Sequence, residues 1–109
     1  MKVLFHPDKE DMHLSSVLYA LSDPVRLSIV SELNKLGERT CGGIDVSVVK
    51  STKSHHVRTM REAGVVHVRV QGTQRLLSLR KHDLEERFPG LLHAILQAYE
   101  GTEGQKVSE

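Results

Sequence analysis

Between Lys50 and Lys81 the chain carries eight cationic side chains (Lys50, Lys53, Arg58, Arg61, Arg69, Arg75, Arg80 and Lys81) against one acid, Glu62. The remainder holds seven basic and thirteen acidic residues, so a local +7 sits in a background of −6. A basic block in an otherwise acidic chain is the footprint of a polyanion site, although a solvated basic face has the same composition. The residue types inside the block favour nucleic acid. Ser51, Thr52 and Ser54 are short hydroxyls suited to phosphate, His55 can donate or accept at a base edge, and the fork of Arg58 matches guanine O6 and N7.

Other reactive residues form weaker groupings. Cys41 is the one cysteine, which excludes an internal disulfide and a thiolate-rich metal site. A sulfenic acid or an intersubunit disulfide is the chemistry left to it, and a small loop-edge residue is the plainer reading. His55 and His56 are adjacent, so on a helix they diverge by about 100° and chelate poorly. Gly42-Gly43 is no phosphate loop, and no nucleophile-base pair or carboxylate pair has a local signature, so the reading is a non-enzyme with no cofactor.

Periodicity supplies the elements that must position these groups. Leu14, Val17, Leu18 and Leu21 recur at helical spacing over 10–21. Asp23-Pro24 is an N-cap followed by a first-turn proline, and Val25, Ile29, Leu33 and Leu36 then form one stripe that Gly37 stops. Residues 38–42 read as loop. Residues 43–49 are apolar and β-branched and are assigned a short helix. A helix over Lys50 to Ala63, capped by Ser51 or its neighbour, ends at Gly64. Val66, Val68 and Val70, then Leu77 and Leu79, alternate with polar residues about Gly72-Thr73, which predicts a β-hairpin. Helical pieces over 82–87 and 89–100 follow, the second carrying Leu91, Leu92, Ile95, Leu96 and Tyr99. The order describes a mainly α fold with a β-hairpin wing, a winged helix-turn-helix. Within helix 51–63, Val57, Met60 and Lys53 fall on the inward side. Arg58, Ser51, Glu62, His55 and Thr59 lie about 100–200° away, on a face that fits a major groove.

The chain has 109 residues, 39% of them hydrophobic, with no Trp and two each of Phe and Tyr. That allows one domain with an aliphatic core, small enough for a dimer to help it. No apolar run reaches membrane-spanning length, and Met1–Glu10 lacks a secretory pattern, so the expected location is cytoplasmic. The domain reading is a flexible arm over 1–9, a DNA-binding and dimerisation domain over 10–100, and a disordered tail over 101–109.

The stretch from Lys50-Ser51-Thr52-Lys53-Ser54-His55-His56-Val57-Arg58 to Val66 resembles the recognition helix of the ArsR/SmtB repressors. Ala20-Leu21-Ser22-Asp23-Pro24-Val25-Arg26-Leu27-Ser28-Ile29-Val30 resembles that family's entry to its second helix, and Gly72 to Leu79 resembles its wing. The likeness covers about residues 12–100. It implies a homodimeric winged-helix repressor on an inverted-repeat DNA operator, dimerising through its first and last helices. Here those positions are Leu14, Val17, Leu18, Leu21, Leu91, Leu92, Ile95 and Tyr99, whose stripes also suit a core. The implied DNA contacts are Lys50, Ser51, Thr52, Lys53, Ser54, His55, Arg58 and Arg61, with Thr73, Gln74 and Arg75 on the wing. Lys53 and Thr59 stand where the family usually has aliphatic residues. The Lys53 stem can pack while its ammonium reaches a phosphate, or the lysine can loosen the helix seat.

The family's metal motifs are incomplete. Its Cys-x-Cys site has only Cys41 here. Its last-helix site, Asp-x-His paired with His-x-x-Glu or His-x-x-His, matches the ten-residue spacing of His82 and His93. Arg80 and Leu96, however, stand where its outer ligands belong, so no metal is expected. A metal- or thiol-oxidant-responsive derepressor built on His82/His93 or Cys41 is the alternative, as is a winged helix for protein or RNA contact. The aromatics Phe5, Tyr19, Phe88 and Tyr99 all lie outside the basic block, unlike the stacking platforms of RNA modules.

Overall fold

The computed structural model describes residues 4–106. Five helices, α1 (Leu14–Ala20), α2 (Pro24–Leu36), α3 (Lys50–Ala63), α4 (Lys81–Arg87) and α5 (Leu91–Lys106), pack with strands β1 (Arg39–Thr40), β2 (Val66–Gln71) and β3 (Gln74–Leu79). The strands form an antiparallel sheet in the order β1-β3-β2.

The α2 start obeys its local chemistry. The Asp23 carboxylate accepts from the backbone N–H of Val25 at 2.9 Å and of Arg26 at 3.1 Å, and Pro24 occupies the first turn. Burial opposes ionisation of Asp23, but the Arg26 N–H bond, the nearby Arg26 guanidinium and the Val25 N–H bond outweigh it and hold its carboxyl below the usual range. The wing also follows its pattern. Gln71 pairs with Gln74 across Gly72-Thr73, and Gly72 takes φ +62 at the first turn position. Val66, Val68 and Leu77 point into the core.

Several expectations change. Residues 44–49 are irregular, entered through a 3₁₀ turn at Cys41–Gly43, instead of helical. The β-branched Val46, Val48 and Val49 disfavour a helix, and Ile44 alone is buried deeply enough to anchor the segment. Residues 39–40, expected as loop, add a third strand by pairing with Leu77 and Leu76. Val49, not Ser51, precedes α3 as its cap position and offers no side-chain acceptor. The last helix continues through Gly101 to Lys106, with Thr102 Oγ1 bonded back to the Ala98 carbonyl, so only 107–109 of the expected tail lie outside the described residues.

The N-terminal arm, expected to be loose, is tied along its length, although residues 1–3 lie outside the described region. Arg61 donates to the Phe5 carbonyl, Arg80 to the Pro7 carbonyl and Arg87 to the Met12 carbonyl. His6 Nε2 accepts the Val68 backbone N–H at 3.0 Å, and its ring stacks on His67 with centroids 4.4 Å apart. Met12 closes the core against Gly64, which ends α3 at φ +92. A Cβ there would meet Met12 side-chain atoms at 2.8 Å.

The core is aliphatic, as composition requires: Ile29, Val30, Leu33, Val57, Met60, Val65 and Leu77 are among its buried members. No helix among the described residues is long and apolar enough to cross a membrane.

Candidate nucleic-acid interface

Helix α3 presents one face to the core and one outward. His56, Val57, Met60 and Ala63 are buried, while Ser51, Thr52, Ser54, His55 and Arg58 are exposed. The wing folds back so that its tip lies beside the α3 start. Lys50, Lys53 and Ser54 line one groove of about 720 Å³ together with Thr73, Gln74 and Arg75. Ser54, Arg58, Arg61 and Arg75 also border a second hollow with Leu4 and Phe5 of the arm. His55 and Thr59 face a third hollow with Ser15, Ser16 and Tyr19 of α1.

The structure therefore brings Lys50, Lys53, Ser54, Arg58 and Arg61 of α3 together with Thr73, Gln74 and Arg75 of the wing along two adjoining hollows, but it assigns several of their charges to internal partners. Lys53 is half-buried, and its Nζ donates to the Ile44 carbonyl at 2.7 Å. That ammonium holds the irregular loop against α3. Arg61 is likewise committed to the Phe5 carbonyl at 2.6 Å, on the arm side. Arg58 keeps a 69% exposed side chain and pairs through Nε with Glu62 at 3.2 Å, one turn along. Arg69 forms a two-point bond with Glu38, at 2.8 and 2.9 Å, tying β2 to the segment before β1. The Arg69 bond leads the effects that keep the Glu38 carboxyl below its ordinary range.

Sequence reasoning missed neighbours of this surface on α1 and within α3. Ser15 and Ser16 share the hollow of His55 and Thr59, and only a polar pair opening α1 signalled them. His56, noted only as a poor chelator beside His55, is a buried partner of Arg26. It falls on the wheel between the inward and outward arcs, where angle alone does not decide.

The residues expected at a dimer face divide. Val17, Leu21 and Leu92 are buried inside the protomer and belong to its core, with Val17 0% exposed. Leu14 and Leu18 remain 48% and 43% exposed on α1, and Leu91, Ile95 and Tyr99 are half-buried on α5. His82 and His93 border one cleft between α4 and α5 with Glu85 and Glu100. His82 Nε2 lies 2.6 Å from Glu86, and no group of three or more His, Cys, Asp or Glu side chains is placed to hold a metal ion among the described residues. Cys41 is half-buried at the rim of the wing groove.

A helix-turn-helix followed directly by a β-hairpin beside its second helix defines the winged helix-turn-helix class of DNA-binding proteins. No family profile matches the chain. The chain is 35% identical over 89 residues to the HTH-type transcriptional regulator YceK of Bacillus subtilis, spanning 79% of this chain and 89% of that protein. Its fold matches the transcriptional repressor BigR from Xylella fastidiosa with a TM-score of 0.62 at 24% identity, over 81% of this chain and 83% of BigR. It also matches the ArsR family transcriptional regulator RHA00566 with a TM-score of 0.61 at 16% identity, over 88% and 97% of the two chains. The chain belongs to the HTH-type transcriptional regulators, and its fold is the one that the ArsR family regulator RHA00566 adopts.

Proposed function

We propose that the protein is a homodimeric repressor that binds an inverted-repeat operator, with α3 of each protomer in a major groove and the wing on the adjacent backbone. The observation that carries this reading is the shared groove of the α3 start and the wing tip, where Lys50 and Ser54 stand opposite Thr73, Gln74 and Arg75. Arg58 and His55 read base edges, because they project outward from the middle of α3. Lys50, Ser51, Thr52 and Ser54 hold phosphates, and Arg75 with Thr73 and Gln74 anchors the wing. Lys53 and Arg61 join them, each placing one N–H on a backbone carbonyl, of Ile44 and Phe5, out of the three and five donors their head groups carry. Two-fold symmetry sets the half-sites about one helical turn apart. Dimer contact runs through the exposed Leu14 and Leu18 of α1 and the half-buried Leu91, Ile95 and Tyr99 of α5.

The test is a titration of fluorescent duplex DNA from upstream of the protein's own gene, across a salt series. It is repeated with sequences from a random-duplex selection. Tight, sequence-selective, salt-dependent binding by a dimer is the expected result. Lys50→Ala lowers affinity about equally on all sequences and reduces the salt slope by about 1. Binding no stronger than to random DNA in both arms overturns the reading.

A further inference from the structure

Arg26 is 5% exposed and lies where three helices meet. Its Nε donates to the Ala20 carbonyl at 2.8 Å and Nη2 to the Tyr19 carbonyl at 3.0 Å. These are end carbonyls of α1, beyond reach of an i+4 donor within that helix; that of Tyr19 also accepts from the Ser22 N–H and hydroxyl. The guanidinium also lies over the Tyr19 ring, 5.1 Å from its centroid. The remaining branch, Nη1, lies 3.0 Å from Nδ1 of His56, a 9% exposed residue in the middle of α3. On its other side, His56 Nε2 stands 3.8 Å from Asp23 Oδ2, the oxygen that caps α2.

The chemistry of this contact has one consistent protonation pattern. A guanidinium stays charged and has donors only. His56 Nδ1 must then present its lone pair, which leaves the ring proton on Nε2, toward the Asp23 carboxylate. Four consecutive residues, Asp23 to Arg26, thus hold the end of α1, the start of α2 and the middle of α3.

We infer that His56 is a positioning residue for DNA recognition: as the Nε2-protonated imidazole it locks α3 to Arg26 and sets the rotation at which His55 and Arg58 face the DNA. This rests on the DNA-binding reading above. His56 is adjacent to His55 and two residues from Arg58, so losing the Arg26 bond lets the helix turn about its axis. Such a turn displaces base-reading groups while leaving the basic surface in place. The predicted signature is a loss of selectivity without a loss of nonspecific affinity.

The experiment compares the parent, H56L and H56Q as full chains on operator and on random duplex. H56L keeps apolar bulk without an acceptor, and H56Q restores a carbonyl acceptor for Arg26. H56L is expected to fold and to bind operator about tenfold more weakly, with random-duplex binding unchanged. H56Q is expected to recover most of the operator affinity. Nitrogen NMR of the parent's imidazole rings at neutral pH is expected to show His56 Nδ1 unprotonated, and R26K to shift that signal. Parent-like operator binding by H56L, equal losses on both DNAs, or a protonated Nδ1 overturns the inference. If H56L does not fold, the NMR result decides alone. Absence of operator binding by the parent defeats the DNA-binding reading, and the ring tautomer then still tests the linkage.

Discussion

Removing the Arg58 side chain separates base readout from fold. Arg58 is 69% exposed and its one ionic partner among the described residues is Glu62 on the same helix, so Arg58→Ala costs the domain little. An exposed i,i+4 pair contributes about 0.3–0.5 kcal/mol, and alanine returns part of that through helix propensity. The melting temperature should move by less than about 3 °C. On DNA the balance differs. A bidentate contact to guanine contributes about 1–3 kcal/mol. Releasing Arg58 from Glu62 subtracts the pair's few tenths, leaving about 0.5–2.7 kcal/mol, or roughly 2–100-fold in operator affinity. Random-duplex affinity should fall far less. The companion Glu62→Gln frees the guanidinium and removes a carboxylate from the DNA side, so it should tighten operator binding about twofold or more. Fluorescence anisotropy with operator, single-base variants and random duplex, alongside thermal melts, measures all three effects. If Arg58→Ala binds operator as tightly and as selectively as the parent while Glu62→Gln gains nothing, the outward register assigned to α3 is wrong.

Other expectations concern the scaffold. Leu18→Glu places a charge on the exposed α1 stripe without touching the protomer core, and analytical ultracentrifugation should show monomers whose fold is intact by circular dichroism. Gly64→Ala combines a side chain at φ +92 with a clash against buried Met12, and should destabilise by about 2–4 kcal/mol in a denaturant titration. His6 is held below its ordinary value of 6.5 by burial first and by His67 second, against the pull of the Leu4 carbonyl. Its Nε2 must be unprotonated to accept the Val68 N–H. The docked arm is therefore fully stabilised above pH 6.5 and loses that contribution as pH falls from there through the lowered value. Faster hydrogen exchange at the Val68 amide in this acid window, absent in His6→Ala, checks it.

The sequence by itself determined the parts of this protein whose causes are local. Asp23-Pro24 capped α2 because a carboxylate and a fixed φ act within one turn. The 3.6- and 2-residue periods separated α3 from the wing, because core-facing side chains must recur at the pitch of their element. The cationic run from Lys50 to Lys81 marked the elements, α3 and the wing, on which the proposed DNA contacts lie. Tertiary structure decided where each donor went. Lys53 and Arg61 read as phosphate ligands, yet their ammonium and guanidinium serve carbonyls nine and fifty-six residues away. The arm looked free because its partners, Arg61, Arg80 and Val68, are remote in the chain. Strand β1 has two residues and exists only because β3 offers it an edge. Val17 and Leu18 share one apolar stripe, but packing buried the first and left the second exposed. Spacing along a chain fixes which face a side chain shares; which carbonyl, ring or strand edge meets that face depends on contacts that no local pattern encodes.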